Sequence, residues 1–356
     1  MSTGGGFGKF ARAAMRSGAL LALPLCLAGP LAAQTLIGRV ISAVDSSAVA
    51  GALVTLIAAD STQVARSSTA MDGAYQVRGP AGGTYRLRVL RIGQRPWQSG
   101  PVDLARGATR SLVIAVPDLP VELPAITVAA RSQCTLSPSD TSLVGSLLNE
   151  SEKALALAHA TVEEGRMRYL VETWYFRHWQ TGITTDSVVS TTLGNSWPVQ
   201  SPPPESLRVY GFVRGDDPAS SETGGATYYG PDANVLFAPW FLESHCFSVS
   251  EGEGDSLVAV EFRPARHTSL VDVAGRLVLA QPSLRLRRIE WHYVGLPRWV
   301  PTNDAGGWLR FQRLDSGAWL PVEWHLRAPI AGLDDTGHPW RLAGWAHFGG
   351  RAVGVR

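Results

Sequence analysis

Hydrophobic and polar residues alternate in short runs from Leu36 onward, and turn residues separate the runs. Ile37–Ile41 alternates until Asp45-Ser46-Ser47 interrupts it, and Ala52–Ile57 resumes with β-branched residues. Ser67–Thr69, Tyr75–Val77, Tyr85–Val89, Val102–Leu104 and Ser111–Val116 follow, which makes seven predicted strands. In Tyr85–Val89 one face carries Tyr, Leu and Val and the other carries arginines, the period-two signature of a half-buried strand. Asp72-Gly73 between two runs predicts a hairpin, because glycine accepts the positive φ of a tight turn. Asp72 is read as that turn's residue, since one carboxylate lacks the oxygen ligands calcium needs. Seven short strands at this spacing predict a β-sandwich over residues 35–128.

The rhythm then changes. Pro117, Pro120 and Pro124 mark an extended linker, with one more strand predicted at Leu123–Val128. Asp140-Thr141-Ser142 can cap a helix whose apolar stripe runs through Leu147, Leu148, Leu155 and Ala158. Glu150, Glu152, Lys153, Glu163 and Glu164 supply its polar side, and Gly165 is a natural stop. Residues 129–165 are therefore read as linker and helix, the stripe packing on the sheet that follows.

Over residues 166–350 the strands lengthen and gain aromatics. Arg168–Arg177, Leu257–Phe262, Thr268–Leu279, Leu284–Tyr293, Trp308–Arg313 and Trp319–Arg327 read as an antiparallel meander, with Asp315-Ser316-Gly317 turning between the last two. The predicted fold is mostly β: an N-terminal sandwich, one long helix, then a curved antiparallel sheet resembling half a barrel. About 230 residues follow the first module, too few for a 22-stranded outer-membrane barrel.

The first residues alter this picture. Lys9, Arg12 and Arg16 precede an uncharged apolar run, Gly18–Leu31, and Ala32-Ala33-Gln34 offers a cleavage site. The run holds about fourteen residues and contains Pro24, too short to cross a ~30 Å hydrocarbon core comfortably. Residues 1–33 are read as a secretory signal peptide. The expected location is the periplasm, the outer-membrane surface or the outside of the cell. Pro24 and Leu25 before Cys26 do not suit lipid attachment. No later segment is apolar enough for a transmembrane helix.

Removing the signal leaves Cys134 and Cys246. An exported pair is read as a disulfide, the alternative being two separately buried thiols. The chain-entropy model gives ~4.7 kcal/mol for closing ~100 residues. The net charge of +2 and the lack of a basic block argue against nucleic acid as partner. Lysine is nearly absent, at Lys9 and Lys153 only.

Gly38-x-Val40, Gly51-Ala52-x-Val54, Thr69-x-x-Asp72-Gly73-x-Tyr75-x-Val77, Gly83-x-Tyr85-x-Leu87 and Ile92-Gly93 resemble the carboxypeptidase regulatory-like domain. That resemblance implies a transthyretin-like sandwich, also grouped with carbohydrate-binding-like folds, in an accessory and non-catalytic role. The second region resembles the half-barrel of periplasmic lipoprotein carriers. With the sandwich it is also similar to secreted bacterial proteins that join a carboxypeptidase regulatory-like domain to such a region. Tyr229–Ala233, Phe241–Phe247 and Gly317–Trp324 carry that second likeness.

Catalytic motifs are missing from the sequence. No His-Glu-x-x-His, Gly-x-Ser-x-Gly or phosphate-cradling glycine loop occurs. His159 and Glu163 lie one helical turn apart without a further ligand. His245 beside Cys246 could form a zinc half-site or a dyad, but neighbouring strand residues point to opposite faces and a disulfide would remove the thiolate. Asp216-Asp217 and Asp334-Asp335 read as solvated loop residues rather than a glycosidase pair. No catalytic, cofactor-binding or metal residues are assigned, and no cofactor is expected.

Eleven of the twelve tryptophans lie at or after Trp174. They either line an apolar cavity, stack on sugar rings or fill a thin β core. The leading expectation is a non-enzymatic envelope binding or scaffold protein, with an apolar ligand lined by Trp174, Phe176, Trp291 and Trp324. A carbohydrate-binding protein and a hydrolase with a dispersed site are the alternatives. The partner would be an envelope protein, a lipid or a glycan. The cysteine reading is directly testable by intact mass: the exported protein should gain two hydrogens on reduction, and two free thiols beforehand would contradict it.

Overall fold

The alternating segments pair into two small sheets. The computed structural model describes residues 34–122, 134, 142–163, 169–194, 197–199, 201–215, 226–254, 256–314, 317–333, 335–336 and 339–355. The predicted signal peptide, the strand at 123–128, Asp140, Thr141, Glu164, Gly165, Asp216, Asp217 and Asp334 lie outside the described residues. The first eight strands are β1 (Gln34–Ser42), β2 (Leu53–Ile57), β3 (Gln63–Ser68), β4 (Ala74–Gly79), β5 (Gly83–Leu90), β6 (Trp97–Gln98), β7 (Val102–Leu104) and β8 (Thr109–Val116). One sheet runs β4-β1-β8, with β1 and β8 parallel. The other runs β3-β2-β5-β6, and β7 also pairs with β5. Leu36, Val40, Val54, Leu56, Tyr75, Val77, Leu87, Val89, Ile114 and Val116 fill the space between them.

The Asp72-Gly73 turn forms, with Gly73 at φ +76° and Asp72 Oδ1 accepting from Ala74 N. It does not close a hairpin as the sequence suggests. β3 pairs with β2 while β4 pairs with β1, so the turn carries the chain from one sheet to the other. Gly73 O accepts from Val40 N, and a Cβ at Gly73 would lie 2.3 Å from Val40 O. That contact fixes the turn on β1.

The helix α1 (Leu143–Glu163) follows, with Ser142 Oγ accepting from Gly145 N at its start. Eleven strands come after it: β9 (Tyr169–Trp179), β10 (Thr184–Gly194), β11 (Val213–Gly215), β12 (Ala226–Tyr228), β13 (His245–Glu251), β14 (Leu257–Pro264), β15 (Asp272–Ala280), β16 (Arg285–Val294), β17 (Gly306–Arg313), β18 (Trp319–Leu333) and β19 (Pro339–Val355). Three short helices sit among them: α2 (Pro204–Tyr210), α3 (Ala233–Leu236) and α4 (Pro239–Ser244). Nine of these strands form one antiparallel sheet, β10-β9-β19-β18-β17-β16-β15-β14-β13, which is not closed into a barrel. The final strand inserts between β9 and β18, so the sheet is not a simple meander. β11 and β12 make a separate ribbon. Cys134 is joined by a disulfide to Cys246 on β13.

The helix is buried on more than one face. Leu147, Ala154, Leu155 and Ala158 share a core with Phe247, Phe262, Leu277, Ile289, Leu309, Phe311 and Trp319 of the large sheet. Leu53 of β2 belongs to the same core, and Leu90 and Ile92 pack on it. α1 therefore lies between the large sheet and the sandwich, and the described residues form one compact unit.

Two charges predicted for the helix's polar side are buried instead. Glu150 is 1% exposed and Lys153 is 9% exposed. Lys153 Nζ donates to Glu150 Oε1 at 2.5 Å and to Gln94 O at 2.8 Å. Glu150 Oε2 accepts from Gly93 N at 2.7 Å. The turn after β5 thus satisfies what the pair does not satisfy itself, as a buried ion pair requires. At the helix's other end, Arg66 of β3 pairs with Glu163 at 2.7 Å.

Removing one partner of such a pair strands a buried charge, at a cost of about 3–5 kcal/mol. Glu150→Gln and Lys153→Met should each lose about that much stability in urea titrations of the mature chain. The double change Glu150→Leu/Lys153→Met should lose less than the two singles summed. Additive losses would show that the two groups do not act as a pair.

Candidate functional site

Strand register separates the four aromatics predicted to line a cavity. Trp291 and Trp324 face α1 and are buried in its core. Trp291 lies against Gly307, and Trp324 against Gly350. On β9, Thr173 is the partner of Gly350, whereas Trp174 pairs with Gly349 and Phe176 with His347. Trp174 and Phe176 therefore occupy the opposite face, turned away from the helix, where both are half-buried. The structure brings the residues together in two pairs, one on each side of the sheet.

The outward pair belongs to a larger arrangement. Two rows cross β9, β19, β18 and β17 side by side. Trp174, Gly349, His325 and Trp308 form one, and Phe176, His347, Arg327 and Gly306 form the other. Phe176 stacks on His347 with centroids 4.5 Å apart and planes 10° apart. His347 stacks in turn on His325 at 5.3 Å, and Trp308 leans toward His325 at 6.3 Å. Trp174 lies over Gly349, where an added Cβ would come within 2.4 Å of the indole. Arg327 holds its guanidinium 3.8 Å from the centre of the Trp345 ring, a cation–π contact. The result is a nearly continuous aromatic surface built by cross-strand neighbours.

His325 Nε2 and His347 Nδ1 are 3.1 Å apart, so one ring donates its proton to the other's lone pair. Burial lowers the pKa of both, and nearby Arg327 adds to the effect. His347 falls to about 4, with His325 and His178 contributing further. Both rings are therefore neutral near pH 7, keeping polar edges without repelling each other.

A charged row flanks the aromatics on the same face. Arg351 pairs with Glu172 at 2.9 Å, and Arg310 with Glu323 at 2.7 Å. Beyond them Arg276 pairs with Glu290 and Glu253, and Arg288 pairs with the same two carboxylates. These exposed pairs add little stability singly. They do place donors and acceptors beside the rings.

The other chemistry-bearing residues meet at His245, where Ser244 Oγ lies 3.1 Å from Nδ1 and Asp272 Oδ1 lies 3.4 Å from Nε2. His245 is fully buried, its Nδ1 3.1 Å from Phe241 O and its Nε2 3.2 Å from Val273 O. Its neighbour Cys246 is committed to the disulfide, so no dyad forms there. His159 stacks on Trp197 at 4.1 Å, and burial lowers its pKa. Among the described residues no group of three or more His, Cys, Asp or Glu is placed to hold a metal. No described helix is long and apolar enough to cross a membrane.

The imidazole pair escaped sequence reasoning. Its signal is present as His325-x-Arg327 and Trp345-x-His347, polar and aromatic positions at strand period two. The depressed pKa of His347 fixes a pH dependence. An unfolded histidine titrates near 6.5 and the folded one near 4, so the unfolded chain binds the extra proton between these values. His347's contribution to stability should be intact above pH 6.5 and decline as pH falls toward 4. Melting temperatures from pH 7 to 4 should drop less steeply for His347→Asn than for the native chain. Parallel curves would contradict the assignment.

Comparison with known proteins adds one firm match. No curated protein matches the chain. Among solved structures, a Bacteroides uniformis protein described as a proposed carbohydrate binder is 9% identical at a TM-score of 0.22, covering 74% of this chain and 98% of its own. The TIE protein of Bacillus anthracis is 10% identical at a TM-score of 0.20, covering 91% of this chain and 45% of its own. Likeness at these scores carries no argument. Residues 35–117 match the family model of the carboxypeptidase regulatory-like domain, and these span β1 to β8 with their two facing sheets. The chain is thus a carboxypeptidase regulatory-like domain-containing protein, with that domain followed by α1 and the nine-stranded sheet.

Proposed function

We propose that this is an exported, non-enzymatic binding protein whose nine-stranded sheet offers its outward face as a stacking platform for carbohydrate. The observation that carries the reading is the ladder Phe176–His347–His325–Trp308, stacked across four strands and half-exposed. A pyranose ring presents a flat face of C–H groups, which an aromatic face accommodates, and a rim of hydroxyls. Here neutral imidazoles and the Arg–Glu row adjoin the rings and can meet those hydroxyls. Sugar rings need a shallow surface rather than an enclosed pocket, and a sheet face supplies one. The inner face is occupied by α1 and its packed side chains, so Trp291 and Trp324 support the platform from beneath.

The test is a glycan array probed with the intact mature chain, followed by calorimetry on any hit. Trp308→Ala and Phe176→Ala should each weaken binding about tenfold, as losing ~1.4 kcal/mol of stacking implies, with unchanged circular dichroism. A blank array, or hits that both variants bind as tightly as the native chain, would remove the proposal.

A further inference from the structure

The sandwich and the large sheet meet along two close backbone contacts. Gly51, at φ +69°, would place a Cβ 2.2 Å from Gly317 O, and Gly93, at φ +76°, would place one 2.9 Å from Ser283 O. Between these contacts opens a cleft of about 650 Å³. That is the size of small-molecule sites, and its walls are held by the same Gly93 turn that Glu150 and Lys153 anchor. Leu157 of α1 forms part of its lining.

Three arginines line the cleft: Arg91 from the sandwich, and Arg285 and Arg313 from the large sheet. Two carboxylates line it as well, and both are already committed. Asp118 pairs with Arg91 at 3.2 Å. Asp45 folds back on its own turn, accepting from Ser47 N and Ser47 Oγ at 3.1 and 2.7 Å. Among the described residues Arg285 and Arg313 meet no carboxylate, and Arg313 donates only to Ala50 O at 3.3 Å. Both side chains keep solvent exposure, and partial desolvation together with the like charges of Arg285 and Arg91 lowers the pKa of Arg313. A protein gains nothing in stability by holding two unpaired guanidiniums in one cleft. An arriving oxyanion relieves that repulsion and satisfies the planar donor forks of both.

We propose that this cleft is a binding site for the oxyanion group of a small ligand, held between Arg285 and Arg313 with Arg91 beside them. The proposal is independent of the carbohydrate platform, which lies on another surface and uses none of these residues. Neither a phosphate ester nor a carboxylate is preferred by the geometry, since both offer the paired oxygens that a guanidinium fork recognises.

Thermal shift and calorimetry on the mature chain at low ionic strength provide the test, with inorganic phosphate in one arm and citrate in the other. Sodium chloride at matched ionic strength subtracts screening. A saturable rise in melting temperature beyond that reference supports the site. The arm that produces it identifies a phosphate or a carboxylate, and a rise in both assigns a general oxyanion site. Arg285→Gln and Arg313→Gln should each weaken the response at least about tenfold. Arg39→Gln, which removes the same charge from an exposed pair with Asp72, should leave it unchanged. Arg285→Gln should also raise the melting temperature in anion-free buffer, because it removes repulsion. No saturable shift with either anion, or equal shifts in the native and both cleft variants, would overturn the proposal.

Discussion

The contact between one helix carboxylate and one lysine organises both halves of this molecule. Glu150 and Lys153 lie one turn apart on α1, and together they hold Gly93 N and Gln94 O. Buried charge is costly, and it is tolerated when every donor and acceptor finds a partner. The turn after β5 supplies the missing partners. The sandwich is thereby attached to a helix that belongs to the large sheet's core. The arginine cleft owes its walls to the same attachment, because Gly93 also touches Ser283 in the turn between β15 and β16.

Filling the sheet's inner face with α1 determines what the outer face can be. A sheet packed on one side alternates core and surface positions, and its solvent side is free to carry a repeated pattern. Here that pattern is an aromatic and histidine ladder beside an ion-pair ladder. β19 makes it possible. Gly349 accommodates Trp174 on one side and Gly350 accommodates Trp324 on the other, each where a Cβ would collide with an indole. Two adjacent glycines in a central strand thus serve two opposite surfaces, one exposed and one buried.

Those glycines also explain what sequence reasoning could and could not reach. Most sandwich strands were legible because they alternate between marked turns, but β3 was read only at its C-terminal end and β6 was not read. β14, β16 and β17 were legible for the same reason. β19 was not, since Gly344, Gly349, Gly350 and Gly354 weaken strand propensity, and the partner indoles explain only Gly349 and Gly350. β10 was missed because it is an edge strand, exposed along nearly its whole length, with no buried face to impose a period. The charges at Glu150 and Lys153 read as a solvated helix face, because the groups that pay for their burial lie nearly sixty residues away in sequence. The cysteine pairing was inferable from number, once the expected signal peptide is set aside with Cys26. The four-aromatic cavity was not, because alternation gives a residue's face only relative to its own strand.

If the ion pair welds the two parts together, the Gly93 amide should open only when α1 itself opens. Native-state hydrogen exchange measures both in one experiment. Gly93 and the central α1 amides, Leu147 to Leu157, should exchange with the same opening free energy and the same dependence on denaturant. Fast exchange at Gly93 while those helix amides remain protected would show the sandwich moving independently, and would contradict it.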